Sequence, residues 1–338
     1  MSTRAQPPAA PWRLTLVTNP DDCNLACPMC GFGEARPPGP PRRMAPALAE
    51  AVLRDAARAG LAEVIPSTLG EPLLWAGLDA LVDLCAALGV ALNLTTNGTF
   101  PGRGAAAWAA RLVPVASDVK LSWNGATAAT AEAVMPGLPF DRAIANAEAL
   151  VAARDAAARA GGRRCRVSFQ VTAQEANVRE LAGIVRLAAA LGVDRVKVNQ
   201  LQVRAPWMAA LSLRRDRDAL RRWNAAVAEM RAAAEEARLP SGERVLLQNV
   251  AALAEDPAAP APAGPCPFVG REAWVHADGR FAPCPHPAAA RGELGGFGSA
   301  AERPLGELWA DPGFRAFVAR YEEHPVCRSC PFRRMGGA

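Results

Sequence analysis

The sequence contains no membrane-spanning stretch and no secretory signal. None of its hydrophobic runs reaches the roughly eighteen residues that a transmembrane helix requires. The segment from Met1 to Pro11 has one arginine and lacks the apolar core of a signal peptide, so we interpret residues 1–11 as a short disordered tail. We therefore expect a cytoplasmic protein without a membrane partner.

Lysine is scarce, which bears on nucleic-acid binding. Among 38 basic residues, only Lys120 and Lys197 are lysines, and the remainder are arginines. These arginines are spread along helical segments and mixed with aspartate and glutamate. Although the formal net charge is +5, this pattern is typical of solvated helix faces, and no nucleic-acid partner is expected.

The nine cysteines are too sparse for a secreted disulfide scaffold, which would be a shorter and more cysteine-dense chain. Cys85 and Cys165 lie in an apolar helix and an apolar strand and are expected in the core. The other seven fall into two groups with ligand-like spacing: Cys23, Cys27 and Cys30, and Cys266, Cys284, Cys327 and Cys330. In a reducing compartment, such grouping indicates iron–sulfur or metal binding.

The first two-thirds of the chain alternates short apolar strands with alanine-rich helices. Strands are predicted at Arg13–Thr18, Glu63–Pro66, Ala91–Thr95, Asp118–Ser122, Arg166–Thr172 and Arg195–Val203. Helices are predicted at Pro46–Ala59, Leu78–Leu88, Ala105–Leu112, Asp141–Arg159 and Val178–Leu191, with Gly60, Gly89 and Gly192 at helix ends. Six βα units imply a parallel sheet but are too few for a closed eight-stranded barrel. The predicted fold is α/β, a partial (β/α)6 TIM-like barrel over residues 12–205.

The remainder of the chain has a different character. Residues 206–262 are predicted to form a linking segment, with an amphipathic packing helix at Ala209–Arg238 and a proline-rich linker at Asp256–Pro265. Asp278-Gly279, set between strand-forming residues, predicts a β-hairpin. Residues 263–338 are therefore expected to form a small domain with little apolar core, which bound metal would hold together.

The first cysteine group directly follows the first predicted strand. Cys23, Cys27 and Cys30 have the spacing C-x3-C-x2-C, and no fourth cysteine lies close by. A structural zinc loop would need a fourth ligand. Three ligands on a four-iron cluster instead leave one iron open, which can bind and reduce a small molecule. The spacing and its place after the first strand resemble the signature of the radical S-adenosylmethionine (SAM) superfamily, although Met29 replaces the usual aromatic residue.

This resemblance implies a cofactor set and a reaction. In the family, the open iron of a [4Fe-4S] cluster chelates the amino and carboxylate groups of SAM. An electron from the reduced cluster, supplied by reduced flavodoxin or ferredoxin, then breaks the sulfonium bond. The resulting 5′-deoxyadenosyl radical abstracts a hydrogen atom from the substrate. Cys23, Cys27 and Cys30 would be the ligands of that cluster.

Three further motifs follow predicted strands, where parallel α/β folds place their sites. Ser67–Pro72 resembles the Gly-Gly-Glu motif of the family, Leu94–Gly98 its Thr-Asn-Gly turn, and Lys120–Gly125 its Ser-x-Asp-Gly segment. The resemblance implies that SAM is contacted by Gly70, Glu71, Pro72, Thr95, Asn97, Ser122 and Asn124. Many relatives clamp the SAM carboxylate with an arginine before Pro-Gly. Here Met135 precedes Pro136-Gly137, and Arg142 is the candidate substitute.

The second cysteine group can ligate a whole [4Fe-4S] cluster, because it offers four thiolates. A zinc ribbon is the alternative, since a set of four cysteines suits both metals, but such ribbons usually pair two C-x2-C units and only Cys327 and Cys330 are so spaced. The order of cysteine, hairpin, cysteine and C-x2-C resembles the twitch or SPASM-like auxiliary-cluster domain, and is similar to that of 2-deoxy-scyllo-inosamine dehydrogenase. His276, His286 and His324 are expected to satisfy local hydrogen bonds.

Polar faces of two predicted strands supply candidates for the substrate pocket. Period-two alternation places Arg166 and Gln170 on the polar face of the fifth strand, and Lys197 and Asn199 on one face of the sixth. Polar pairing inside the barrel is the alternative for each of them.

The architecture favours two-electron oxidation of a small polar metabolite, such as a sugar or cyclitol, with the second cluster accepting an electron. A peptide or protein maturase that forms a thioether or crosslink is the main alternative; for it we expect a separate peptide-recognition domain, not one fused before Trp12. A non-catalytic iron–sulfur electron carrier is the third.

Overall fold

The computed structural model describes residues 8–30, 39–66, 69–257 and 264–333. The chain divides into two compact units. The first unit comprises Met1–Pro20, Pro40–Leu92 and Ala259–Ala338, and the second comprises Asp21–Gly39 and Asn93–Ala258. Most of the predicted proline-rich linker lies outside the described residues.

Within the described residues, strands alternate with helices as far as the sixth strand. The strands are β1 Arg13–Leu16, β2 Glu63–Pro66, β3 Ala91–Thr96, β4 Ala116–Ser122, β5 Arg166–Ala173, β6 Arg195–Gln200, β7 Leu246–Gln248, β8 Glu272–Val275 and β9 Phe281–Ala282. The helices are α1 Pro46–Arg58, α2 Leu78–Leu88, α3 Gly104–Leu112, α4 Ala128–Val134, α5 Phe140–Arg159, α6 Leu181–Ala190, α7 Arg217–Glu236, α8 Pro287–Ala290, α9 Leu305–Ala310, α10 Pro312–Arg320 and α11 Pro325–Arg328. Among the described residues, no helix combines the length and apolarity needed to cross a membrane.

In the first unit, β1 pairs in parallel with both β2 and β8, so that Thr15 stands opposite Ile65 on one side and Trp274 on the other. The pairing of β8 with β9 is antiparallel, which confirms the predicted hairpin. Gly279 in its turn has φ of +86°, a conformation that favours glycine. The parallel pairing of β8 with β1 was not predicted, because a hairpin signal is local and says nothing about a distant third strand.

In the second unit, β4, β5, β6 and β7 pair in parallel with their neighbours. Sequence analysis missed β7, since three residues are too few to show an alternating pattern and Leu246 is exposed. The α/β class and the mostly parallel pairing are confirmed.

Several helix boundaries follow from single residues. α2 spans the predicted residues and ends at Gly89, whose φ is +68°. The helix predicted from Val178 is a short 3-10 turn followed by α6. The predicted long helix after residue 209 is also divided: α7 begins after Asp216, whose carboxylate accepts a hydrogen bond from Ala219 N at 2.7 Å.

The carboxyl-terminal segment has an aromatic core, contrary to the expectation of little apolar packing. Phe281, Trp309 and Phe314 are buried, and the Phe281 and Phe314 ring centroids lie 4.9 Å apart. Trp309 Nε1 donates a hydrogen bond to Pro8 O at 2.9 Å, so this core also holds a residue of the predicted tail. Residues 1–7 lie outside the described part of the chain.

Candidate active site and auxiliary metal centre

The loop after β1 brings three thiols together in the second unit. The Cys27 thiol is buried, and residues Pro28–Cys30 form a 3-10 turn. A hydrogen bond between the Cys27 and Cys30 thiols raises the pKa of Cys27 and lowers that of Cys30, and burial and the neighbouring Cys23 thiol raise the Cys27 pKa further. The three sulfurs therefore lie within electrostatic reach of one another, as ligands of one cluster must.

The predicted Thr-Asn-Gly turn holds this loop. Asn97 Nδ2 contacts Cys23 Sγ at 3.7 Å and donates a hydrogen bond to Asn24 Oδ1 at 2.8 Å. Asn97 Oδ1 accepts bonds from Thr99 N at 3.0 Å and Thr99 Oγ1 at 2.6 Å. Leu25 N also donates a hydrogen bond to Cys23 Sγ at 3.4 Å. Asn97 thus supports the cysteine loop through contacts with the Cys23 sulfur and the Asn24 side-chain amide.

The Pro-Gly segment expected near the SAM carboxylate also supports the loop. Ala26 N donates to Pro136 O at 3.1 Å. Gly137 has φ of +93°, and a side chain there would meet Leu25 at 3.4 Å. The positive φ of this turn therefore calls for glycine, whereas a contact of 3.4 Å would leave room for a side chain.

We expect Asn97→Ala to destabilise the protein by about 1–3 kcal/mol, because it removes the hydrogen bonds that the buried Asn97 side chain makes with Cys23, Asn24 and Thr99. It should also change the electron paramagnetic resonance (EPR) spectrum of the reduced N-terminal cluster, since outer-shell hydrogen bonds tune a metal centre. Chemical denaturation and EPR measure the two effects. Asn224→Ala is the matched control, because the Asn224 amide bonds to the Leu253 backbone and not to a cysteine loop. A spectrum unchanged in Asn97→Ala would contradict the prediction.

The Gly-Glu-Pro motif is fixed by contacts within the first unit. Gly70 has φ of +73°. Glu71 is 0% exposed, and its Oε1 accepts a hydrogen bond from Leu73 N at 3.1 Å where the 3-10 turn Pro72–Leu74 begins. Asn19 Nδ2 donates to Glu71 O at 2.7 Å. Sequence analysis missed Asn19, although its place directly after the predicted first strand, Arg13–Thr18, was a signal. Ser67 and Thr68 lie outside the described residues.

The remaining predicted SAM contacts lie at or beyond the carboxyl ends of β3 and β4. Thr95 and Ser122 are half-buried. Asn124 is 2% exposed, and its Oδ1 accepts a hydrogen bond from Thr172 N at 2.8 Å. The buried amide of Asn124 thus joins the ends of β4 and β5, and a direct contact with SAM stays a prediction.

The pocket candidates separate along their strands. Gln170 stands opposite Lys197, and Thr172 opposite Asn199, toward the carboxyl ends of β5 and β6. These four side chains are half-buried. Arg166 is the first residue of β5 and is exposed, so the structure places it at the opposite end of the strand from the other candidates.

A cation that sequence analysis did not name lies beside the cysteine loop. Arg204 follows β6, and its positive charge contributes to lowering the pKa of the Cys30 thiol. The expected substitute clamp, Arg142, is exposed on α5. A basic residue just past the carboxyl end of a strand was the signal that could have identified Arg204.

The second cysteine group lines one cavity of the first unit. Cys266, Cys284, Cys327 and Cys330 surround a space of about 330 Å³ that includes open solvent, together with His286. Burial raises the pKa of Cys284 to about 12 and that of Cys327 to about 11, and the neighbouring thiols add to both shifts. Four thiols that are far apart in sequence thus meet at one place.

A backbone N–H group and a cation lie near these sulfurs. Val269 N contacts Cys266 Sγ at 3.5 Å. Burial raises the pKa of Cys266, Cys327 and Cys330, and the positive charge of Arg333 lowers it in part. Such donors and charges stabilise thiolates that ligate iron.

The histidines near this centre satisfy local hydrogen bonds in two of three cases. His286 Nδ1 accepts from Ala288 N at 3.1 Å, and His324 Nδ1 accepts from Val326 N at 3.3 Å, which confirms the expectation for both. His276 differs, because its buried Nε2 has no hydrogen-bond partner within the described residues.

The donor sets fit two iron–sulfur clusters. Within the described residues, no three histidine, cysteine or carboxylate side chains are arranged around a single metal ion. The gathered thiols are three in one loop and four around one cavity, where His286 also lies. Thiolates are the usual protein ligands of [4Fe-4S] clusters, and a set of three leaves one iron for a cofactor.

The fold and the two thiol sites define an α/β iron–sulfur enzyme. The chain belongs to the radical SAM superfamily: the model of that superfamily matches residues 20–162, and the model of the SPASM iron–sulfur cluster-binding domain matches residues 266–331. Its cofactors are two [4Fe-4S] clusters and SAM, and it needs an electron donor and a substrate. The electron-carrier alternative is wrong, because this superfamily consists of enzymes. No curated protein sequence matches the chain.

Solved structures agree with this fold. Streptococcus suis SuiB bound to S-adenosylmethionine matches with a TM-score of 0.69 and 16% identity, over 96% of this chain and 73% of that one. The same protein bound to precursor peptide SuiA matches with a TM-score of 0.66 and 17% identity, over 96% of this chain and 70% of that one. Native anSMEcpe with bound AdoMet and Kp18Cys peptide matches with a TM-score of 0.62 and 15% identity, over 94% of this chain and 88% of that one. At these identities the likeness shows the fold alone.

Proposed function

We propose that the protein oxidises a small polar metabolite, such as a sugar or cyclitol, by two electrons. When bound, the clusters and SAM would supply one-electron chemistry, with Cys23, Cys27 and Cys30 holding the first cluster and Cys266, Cys284, Cys327 and Cys330 the second. A radical derived from SAM would take a hydrogen atom, and the second cluster would accept one electron. The substrate loses one hydrogen atom to the radical, then one proton and one electron. Reduced flavodoxin or ferredoxin would supply the electron for SAM cleavage.

The observation that carries this proposal is a polar strand face in the second unit. Gln170, Thr172, Lys197 and Asn199 are half-buried neighbours toward the carboxyl ends of β5 and β6. Asn199 Oδ1 accepts a hydrogen bond from Asn249 Nδ2 at 3.0 Å, which extends the row of amides. Such a face offers hydrogen bonds to a hydroxylated or aminated ligand and little apolar surface.

The test is anaerobic incubation of the reconstituted enzyme with SAM, reductant and candidate metabolites deuterated at carbon. We expect one deuterium in 5′-deoxyadenosine and a carbonyl product, in equal amounts, by mass spectrometry. Cys27→Ala should form neither. A product at the oxidation level of the substrate would contradict the proposal.

A peptide substrate is the second candidate. It is favoured by the two similar structures that contain peptides, SuiB with SuiA and anSMEcpe with Kp18Cys. Val203 and Trp207, which follow β6, are 49% and 38% exposed and offer apolar surface for a larger ligand. The same deuterium assay with candidate peptides separates the two classes of substrate.

A further inference from the structure

Three polar atoms of the first unit are buried without a hydrogen-bond partner among the described residues. They are Thr15 Oγ1 on β1, Trp274 Nε1 on β8, and Nε2 of His276, which directly follows β8. Buried polar groups are nearly always paired with protein or water, so unpaired groups that cluster call for an explanation.

Strand register places Thr15 and Trp274 on one face, and alternation continued past the end of β8 places His276 on the same side. Thr15 and Trp274 are partners in the parallel pairing of β1 and β8. Alternation puts Glu272, Trp274 and His276 on the same side of β8. The Arg13 side chain lies on that side too, because it donates hydrogen bonds to Glu272 at 2.8 Å and to Glu63 at 2.5 Å. Ala273 and Val275, on the other side of β8, are 0% exposed.

This row runs toward the edge that carries the Gly-Glu-Pro motif. Asn19 follows β1 and donates a hydrogen bond to the Glu71 backbone beyond β2. Because β1, β2 and β8 are parallel, His276 lies beyond their carboxyl ends, at the same edge of the first unit. Sites of parallel α/β folds form at that edge.

The three atoms offer complementary hydrogen-bonding chemistry. An indole N–H can only donate, and a threonine hydroxyl can donate or accept. Burial and the charges of Arg280 and Arg42 lower the pKa of His276, against an opposing effect of Asp278. A neutral imidazole has one nitrogen that accepts a proton.

We propose that Thr15, Trp274 and His276 form a subsite for the hydroxyl group of an alcohol substrate, where Thr15 and Trp274 hold the oxygen and His276 accepts its proton. This inference rests on the proposed oxidation and names its substrate class. The carbon–hydrogen bond gives its hydrogen atom to the 5′-deoxyadenosyl radical, the O–H proton goes to His276 Nε2, and one electron goes to the second iron–sulfur cluster. The alcohol becomes a carbonyl, so atoms and electrons balance.

The first test is ligand binding to the SAM-loaded holoenzyme without reductant. The probes are myo-inositol and D-glucosamine in one arm, and an end-blocked Gly-Ser-Gly peptide in the other, because free polyols and seryl peptides share the alcohol group. We expect one arm to bind the wild type, and Thr15→Val, Trp274→Phe and His276→Gln each to weaken that binding about 2- to 10-fold. Thr15→Ser should restore it.

Trp108→Phe is the matched control. It also removes an indole N–H, but one that donates to Pro101 O in the second unit at 3.1 Å. Wild-type affinity in this variant would show that loss of an indole hydrogen bond elsewhere has no effect on the subsite. Iron content and circular dichroism establish that each variant is folded.

The second test is turnover with the probe that binds. His276→Gln should lower kcat by about 100-fold or more, as expected for loss of a proton acceptor. Binding that no subsite variant weakens, or no binding by any probe, overturns the subsite. An unchanged kcat in His276→Gln overturns the role in proton transfer. If the variants weaken binding but the wild type does not oxidise the probe, the proposed function is wrong and the subsite is supported.

Discussion

Replacing Cys23, Cys27 and Cys30 together with alanine is expected to abolish 5′-deoxyadenosine formation when dithionite is the reductant. Without these thiols the N-terminal cluster has no protein ligands in its loop, so SAM can be neither held by an open iron nor reduced. The iron content of the reconstituted protein should fall from about eight to about four per chain, because one of two four-iron clusters is lost. Liquid chromatography of the nucleoside and an iron assay measure the two effects.

Cys85→Ala is the control for removal of a buried thiol. Cys85 is 0% exposed in α2, and burial raises its pKa to about 12, so it remains a neutral core thiol. The substitution should cost packing energy but leave SAM cleavage and iron content unchanged. SAM cleavage that persists in the triple variant would show that the site assignment is wrong.

Replacing Cys327 and Cys330 with serine is expected to separate SAM cleavage from substrate oxidation. These residues supply two of the four thiols around the carboxyl-terminal cavity, so their loss should remove the second cluster and again leave about four irons. 5′-Deoxyadenosine should still form, whereas the carbonyl product should fall below detection, because the substrate-derived electron has lost its acceptor. The variant should also unfold at a lower temperature, since a bound metal centre stabilises the fold that holds it.

The matched control for this variant is Cys165→Ser in the second unit. Cys165 is 0% exposed, its pKa is raised to about 12 mainly by burial, and its thiol donates to Arg166 O at 3.4 Å. It should lose stability without losing iron. Stoichiometric zinc in the wild-type protein, or full product formation by the Cys327 and Cys330 variant, would contradict the role of the second cluster.

The features that were predictable are those encoded by neighbouring residues. The C-x3-C-x2-C spacing predicted the first ligand set, because grouping three sulfurs in one short loop needs no knowledge of the fold. Leu78–Leu88 and Glu63–Pro66 have their predicted bounds, since periodicity and terminal glycine or proline signals are local. By contrast, the three-residue strand β7 and the division of the helix after Val178 depend on packing that periodicity does not report.

The predicted site was completed by contacts between distant segments. Asn97 was expected to contact SAM, but its support of Cys23 joins residues 74 positions apart. Asn19 reaches Glu71 across 52 positions. The only sequence signal for either contact is a polar residue after a strand. The sequence therefore predicts the polar residue but not the residue that it contacts.

By itself, the sequence determined the α/β class and the family and predicted the thiol ligands, because local spacing and strand periodicity carry that information. Tertiary structure decided which polar atoms share a face. Arg13 and Glu272 bond across 259 positions, and the same strand pairing aligns Thr15 with Trp274 and leaves their polar atoms unpaired beside His276. Register between strands so far apart arises only when the chain folds, since it depends on the packing of whole elements rather than on neighbouring residues.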